Sequence, residues 1–245
     1  MTDYFEKLPW FIKEYIHGNR WASFREVQIG TFDAFYSTDD HILICAGTSS
    51  GKTEAAMFPV IGSLYNNPTD SVGALYVGPL KALIDDQFQR MGPVLGESEL
   101  SVTGWHGDIN QSSKNRLVES PSGILQITPE SLQNILSYHP DEVERLFGDL
   151  RFIIIDEVHA FMGSERGLQL LCCLQRLETI AHCDPRRIGL SATVANKEEA
   201  SEWLRPDTGR SVSTVSDDMV NDKKITICYN HFPRDRKSTR LNSSH

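Results

Sequence analysis

Residues 41–53 read His-Ile-Leu-Ile-Cys-Ala-Gly-Thr-Ser-Ser-Gly-Lys-Thr. The apolar run His41–Cys45 predicts a strand, the small residues after it a loop, and the pattern Thr53–Leu64 an amphipathic helix. A small-residue loop between a strand and a helix is the context of a phosphate-binding loop. Without bulky side chains, backbone N–H groups can close around phosphate oxygens, and the helix adds its positive N-terminal end. Ala46, Gly47, Thr48, Ser49, Ser50 and Gly51 are the candidate cradle. Lys52 is placed to neutralise the β- and γ-phosphates of a nucleotide such as ATP, and the Thr53 hydroxyl to ligate Mg²⁺. The plain alternative is a glycine-serine turn before a surface helix. Ala46 also stands where the pattern G-x-x-x-x-G-K-T has its first glycine.

A second stretch decides between these. Phe152–Asp156 is an apolar run that ends in Asp156-Glu157-Val158-His159, with Asp156 lying 104 residues after Lys52. A buried strand of this kind delivers its carboxylates to the edge of the sheet where such folds bind ligands. Asp156 is the candidate to hold Mg²⁺, directly or through water, and Glu157 the better candidate to polarise an attacking water. His159 is read either as a sensor of the γ-phosphate or as a relay to Ser191-Ala192-Thr193. A strand ending in acids is common and weak by itself; with the loop upstream it is strong.

Outside these two segments, strand-like runs alternate with helical patterns. Gly73–Val77, Ser101–Trp105, Ile124–Thr128 and Arg187–Ser191 are strand candidates, interleaved with helices at Ala82–Met91, Glu130–Ser137 and Gly167–Ala181. That alternation predicts an α/β domain with a mainly parallel sheet flanked by helices on both faces. The strands show no polar alternation, as expected when both faces are covered. Upstream, Leu8–His17 reads as a helix ended by Gly18, and Ser23-Phe24-Arg25-Glu26 as a capping box opening a helix toward Phe35. Downstream, Val212–Val215 and Lys224–Cys228 are short strand candidates that either finish this sheet or lead into a further domain.

The 245 residues, 40% of them hydrophobic and 23% charged, suit an ordinary globular protein with room for a sizeable core. No apolar run approaches the roughly 20 residues that cross a bilayer, so no membrane partner is expected. The start, MTDYFEKLPWFIKEY, lacks the basic-then-apolar order of a signal peptide, and a cytoplasmic location is expected. Five cysteines without a C-x-x-C pair fit reduced thiols. The net charge of −9 argues against coating nucleic acid by bulk electrostatics, but leaves room for a narrow strand-binding track.

Three segments suit such a track. Pro79-Leu80-Lys81-Ala82-Leu83, Trp105-His106-Gly107-Asp108 and Thr128-Pro129-Glu130-Ser131-Leu132 each follow a predicted strand. Thr128 as cap and Pro129 as first helical residue make a helix start whose free N–H groups can take a backbone phosphate, and Lys81 can add a charge. Plain helix capping accounts for Thr128 and Pro129 equally well in isolation. Trp105 either stacks on a base or packs in the core. Arg166 joins a strand-contacting loop or a solvated turn.

Taken in order, AGTSSGKT, GPLKAL, GWHGD, ITPESL, DEVHAF, SERG and RIGLSAT resemble the first RecA-like domain of a superfamily-two DExH helicase. GWHGD with SERGLQL and RIGLSATV is most similar to the large-helicase-related (Lhr) group. The resemblance covers roughly residues 20–210, and such loops often begin with alanine, as Ala46 does here. It implies an ATP-dependent translocase on single-stranded DNA or RNA, moving 3′ to 5′. It gives Gln28, 24 residues before Lys52, the role of reading adenine, for which a carboxamide has both a donor and an acceptor. It makes Ser191, Ala192 and Thr193 the coupling motif. It also implies a second RecA-like domain whose arginines complete the active site.

The expected organisation is a helical extension over 1–22, a RecA-like domain over 23–210 and the start of a linker over 211–234. Residues 235–245 resemble a translated DNA-sequencing adapter and are expected to be a disordered, foreign tail on a fragment. Without that tail, 21 basic residues face 32 acidic ones, a net charge of −11. By itself the chain is then expected to bind ATP weakly and to unwind nothing. A double-strand translocase without strand separation, and an ATP-gated binding module, are the alternatives.

Overall fold

The structure is a computed structural model and describes residues 2–96, 98, 100–105, 111–192, 196–205 and 209–217. His106, Thr193, the strand candidate Lys224–Cys228 and the tail 235–245 lie outside the described residues. The chain opens with α1 (Thr2–Lys7), α2 (Trp10–Gly18) and α3 (Glu26–Ser37), then β1 (His41–Cys45) and α4 (Lys52–Asn66). It continues through β2 (Ala74–Val77), α5 (Lys81–Leu95), β3 (Val102–Trp105), α6 (Gln111–Glu119) and β4 (Ile124–Ile127). Next come α7 (Pro129–Tyr138), α8 (Pro140–Phe147), β5 (Phe152–Ile155), α9 (Val158–Phe161) and α10 (Glu165–Ala181). The described residues end with β6 (Arg186–Ser191), α11 (Lys197–Leu204) and β7 (Val212–Ser216).

Among the described residues, seven strands run parallel in the order β3-β4-β2-β5-β6-β1-β7. The residues of the central strands are buried throughout, and successive side chains serve two separate cores. Ile42, Ile44, Tyr76 and Ile154 face α2 to α5, whereas Leu43, Val77, Ile153 and Ile155 face α7 to α11. Burying each such side chain stabilises the fold by about 1.5–3 kcal/mol, which explains why these strands carry no polar alternation.

Two expected boundaries shift. Leu8, Phe11, Ile12 and Ile16 of the N-terminal segment are buried in the first core, where Trp21 stacks on Phe58 at 5.8 Å. The segment is therefore packed as part of the domain. At the other end, β7 pairs with β1 from His41↔Val212 to Cys45↔Ser216, so the sheet runs past residue 210.

The parallel register brings the strand ends level. Cys45 lies beside Ser191, Val77 beside both Ile127 and Ile155, and Trp105 beside Ile127. The described strands thus all end at one edge of the sheet, the edge at which parallel α/β sheets bind ligands.

Candidate functional site

Two backbone features shape the loop after β1. Ser49 and Gly51 take φ values of 64° and 86°, so the chain curls back before α4 begins. A Cβ on Gly51 would also lie 2.6 Å from Gln28 Nε2, so position 51 requires glycine on both conformational and spatial grounds. Lys52 opens α4 and its Nζ donates to the carbonyls of Ala46 and Gly47 at 2.5 and 2.8 Å. Burial lowers the Lys52 pKa, with the carboxylates of Glu157 and Asp156 acting in the opposite sense. Lysine and acid pair, far apart in sequence, line one cleft of about 580 Å³ together with Thr48, Ser49, Ser50, Gly51 and Thr53.

Gln28 belongs to the same cleft and is buried. Its Oε1 accepts the backbone N–H of Arg25 at 2.9 Å and its Nε2 donates to Gly51 O at 3.5 Å. This corrects the expected capping box. Because α3 starts at Glu26, the residue three positions after the cap is Gln28, and Ser23 lies outside the cap altogether. Arg25, to which the sequence reading gave no role, lines the cleft and donates through Nη1 to Ser49 O. Its signal is legible only once the helix start is known.

The acid pair sits where β5 ends. Asp156 is buried, accepting the Tyr76 hydroxyl on Oδ2 at 2.5 Å and the Glu157 N–H on Oδ1 at 2.9 Å. Burial raises its pKa, and these two hydrogen bonds counteract the rise. Glu157 adopts a left-handed φ of 52° as the residue before α9. His159 Nδ1 stands 3.2 Å from both Ser191 Oγ and Glu157 Oε2. One ring nitrogen serves one partner at a time; the hydrogen-bond geometry is met with Ser191, and Glu157 Oε2 makes no hydrogen bond. Of the two roles open to His159, the link to Ser191 has its contact in place. Ala192 follows at the end of β6.

Whether Mg²⁺ and a triphosphate fit is tested by the polar atoms left over. Among the described residues, Ser50 Oγ, Gln87 Oε1 and Glu157 Oε2 are buried without a hydrogen-bond partner, and all three residues line the cleft. Orphaned oxygens beside an ammonium and an acid pair suit a guest that carries negative charge, a divalent cation and donor groups at once. The residues fit.

On the other half of the sheet edge, Thr128 caps α7, its Oγ1 accepting the Ser131 N–H at 3.3 Å, with Pro129 as first helical residue. Lys81 opens α5, and Trp105 ends β3 half-buried against the second core. Arg166 is not part of a solvated turn. It lies in the first turn of α10, with Nε and Nη2 on the two oxygens of Glu130 at 2.5 and 2.9 Å and Nη1 on Pro79 O at 2.6 Å. This forked pairing fastens the starts of α7 and α10 to the loop after β2, and it holds the Glu130 carboxyl below its usual range. Gly167 is required beside it, because a Cβ there would run into the backbone of Phe161.

The model of the DEAD/DEAH box helicase family matches residues 25–201. The chain is 33% identical over 211 residues to the Lhr helicase/uracil glycosylase of Escherichia coli (strain K12), covering 77% of this chain and 13% of that protein. It is 33% identical over 204 residues to the ATP-dependent helicase Lhr-Core of Methanocaldococcus jannaschii, covering 76% of this chain and 23% of the relative. The chain therefore spans less than a quarter of the length of these relatives. Among solved structures, the Mycobacterium smegmatis helicase Lhr bound to ssDNA and AMP-PNP superposes with a TM-score of 0.75 at 28% identity, over 88% of this chain and 28% of that one. The DUF1998 helicase MrfA bound to DNA gives a TM-score of 0.75 at 26% identity, over 86% and 30%. The fold is that of RecA-like helicase domains, and with the family model spanning the cleft from Arg25 to beyond Ser191, the chain belongs to the DEAD/DEAH box helicase family.

Proposed function

We propose that this chain is the first motor domain of an ATP-dependent, Lhr-type helicase that tracks along single-stranded DNA or RNA from 3′ to 5′. The observation that supports it is the meeting of Lys52 with Asp156 and Glu157 around one cleft at the ends of parallel strands. In this reading the loop Ala46–Gly51 encloses the phosphates, and Lys52 exchanges the carbonyls of Ala46 and Gly47 for β- and γ-oxygens. Gln28 reads the adenine edge, and Thr53 and Asp156 hold Mg²⁺. The metal, when bound, neutralises charge on the phosphates and on the leaving group. Glu157 takes a proton from the attacking water, and His159 reports the state of the site to Ser191-Ala192-Thr193.

Lys81, Trp105, His106, Thr128, Pro129 and Arg166 form the strand-facing half. The helix start that Thr128 caps and Pro129 opens turns its positive N-terminal end toward a backbone phosphate, and Arg166 acts by positioning that start through Glu130. Contacts of this kind carry little base information, which is consistent with a track that accepts many sequences. Residues 211–234 lead toward a second RecA-like domain whose arginines stabilise the transition state, a contribution of about 10³–10⁵ in rate in related phosphate chemistry. By itself the chain binds ATP weakly and does not unwind. No helix among the described residues is long and apolar enough to cross a membrane.

The test uses Glu157→Gln in the protein extended through its second domain. Turnover is expected to collapse while ATP binding survives. Persisting turnover would overturn Glu157 as the general base, and nucleic-acid-stimulated ATPase activity in residues 1–234 alone would overturn the inactivity of the chain by itself.

A further inference from the structure

One buried group in the cleft has no place in the mechanism above. Leu83, Gln87 and Arg90 of α5, spaced four and three residues apart, share a helix face and line the cleft. Arg90 Nη2 is held by Glu54 Oε1 at 2.7 Å and Leu83 is apolar, but Gln87 is only 6% exposed and its Oε1 has no hydrogen-bond partner. A buried amide oxygen without a donor lowers stability, and a leucine of similar size would avoid that cost. Its position implies a donor supplied from outside the protein.

The neighbouring groups narrow the choice of donor. Ile84, on the preceding turn of α5, packs against Gly78 at the end of β2, the strand paired with β5. The first turns of α5 therefore flank the point where Asp156 leaves β5. The cleft's charged donors are held, Lys52 on two loop carbonyls and Arg90 Nη2 on Glu54, and the unpartnered Ser50 hydroxyl lies on the phosphate loop. Phosphate oxygens can only accept. The ribose and base of a nucleotide can donate, but they belong with Gln28 and Arg25, whose side chains are fixed to the phosphate loop itself. The remaining donor is water coordinated to the divalent cation, whose protons are polarised by the metal.

Resting on the nucleotide reading of this cleft, we infer that Gln87 Oε1 accepts a hydrogen bond from a water of the magnesium shell. Gln87 would thereby be a positioning residue for the metal. Outer partners of this kind fix the orientation of metal-bound groups, and their loss costs about tenfold or more in metal affinity.

The experiment measures binding of a fluorescent ATP analogue to the chain, titrated with Mg²⁺ and repeated in excess EDTA, for wild type, Gln87→Leu and Gln87→Glu. Gln87→Leu is expected to bind nucleotide like wild type in EDTA but to lose the tightening that Mg²⁺ brings by about tenfold. Gln87→Glu, which keeps an acceptor oxygen, retains that tightening. Without nucleotide, Gln87→Leu should melt at or above the wild-type temperature, the opposite of what a structural role predicts. Equal affinity of Gln87→Leu and wild type in Mg²⁺, or an equal loss in EDTA, overturns the inference. If leucine prevents folding, Gln87→Met carries the same test; failure of both to fold marks the residue as structural and overturns the inference as well. A wild-type chain with no Mg²⁺-dependent nucleotide binding overturns the underlying nucleotide reading, and this inference falls with it.

Discussion

Tyr76 and Asp156 meet across neighbouring strands, the phenol donating to Oδ2 at 2.5 Å. Tyr76 stands beside Ile154 in the register of β2 and β5, and Asp156, two residues on, points to the same face. A tyrosine in an otherwise aliphatic strand is thus the fixed support of the acid read as the metal ligand. Removing it in Tyr76→Phe leaves a buried carboxylate oxygen without its donor, at a cost of about 1–3 kcal/mol. Because this hydrogen bond lowers the Asp156 pKa, its loss raises it further, and the acid must be ionised to hold a cation. The expected result is a displacement to higher pH of the acid limb of Mg²⁺-dependent nucleotide binding, measured by fluorescence titration from pH 5 to 8. An unmoved limb would disprove the supporting role.

The Arg166–Glu130 pair separates stability from function. Both side chains are partly exposed, so the pair contributes under about 1 kcal/mol to folding. Its geometric effect is larger, since the same guanidinium also holds Pro79 O. Arg166→Ala should leave the melting temperature within a few degrees and weaken binding of a labelled single strand about tenfold, as read by fluorescence anisotropy. Arg166→Lys should fail to restore it, because an ammonium lacks the planar fork.

His41 makes stability depend on pH. Its side chain is fully buried and Nδ1 accepts the Arg187 N–H at 3.0 Å, which requires the neutral ring. Burial, with help from the Arg187 charge, lowers its pKa to about 4 from 6.5. Between these values the unfolded chain binds the extra proton, so stability is full near pH 7 and is lost as the pH falls from about 6.5 toward 4. The difference amounts to about 3 kcal/mol. Urea midpoints at pH 7 and 4.5 should show a smaller drop in His41→Gln, which keeps an acceptor but does not titrate.

A buried charge stands beside His41 at the same end of the neighbouring strand, β6. Arg187 is 2% exposed and pairs with Glu178 at 2.8 Å, while its Nη1 donates to Leu204 O. Glu178→Ala would strand that guanidinium in the core and should lower stability by about 3 kcal/mol in a urea melt. Nucleotide affinity should be unaffected under conditions where the variant is folded. An unchanged midpoint would mean that Arg187 finds another partner.

Some of this was written in local sequence. The run His41–Thr53 specifies strand, loop and helix by itself, because an all-apolar strand, a small-residue loop and a helix start are each decided within a few residues. The same holds for Phe152–Asp156 and for the Thr128–Pro129 cap. Helices α8 and α11 were not read: each is 8 residues long, and only two or three of those residues are buried, too few to establish a period. The start of α3 was misplaced because Ser23 offers the same local signal as a true cap, and the choice was made by Gln28 reaching two partners at once. What only the tertiary structure decided is pairing at a distance. The strand order sets β5 between β2 and β6, and this brings Tyr76 to Asp156 and His159 to Ser191. It likewise brings Arg166 to Glu130 and Pro79 O, tying the starts of α7 and α10 to the loop after β2. A sequence fixes which groups can bond; which of them meet depends on the order of strands in the sheet, and that is set by the packing of two cores rather than by any one segment.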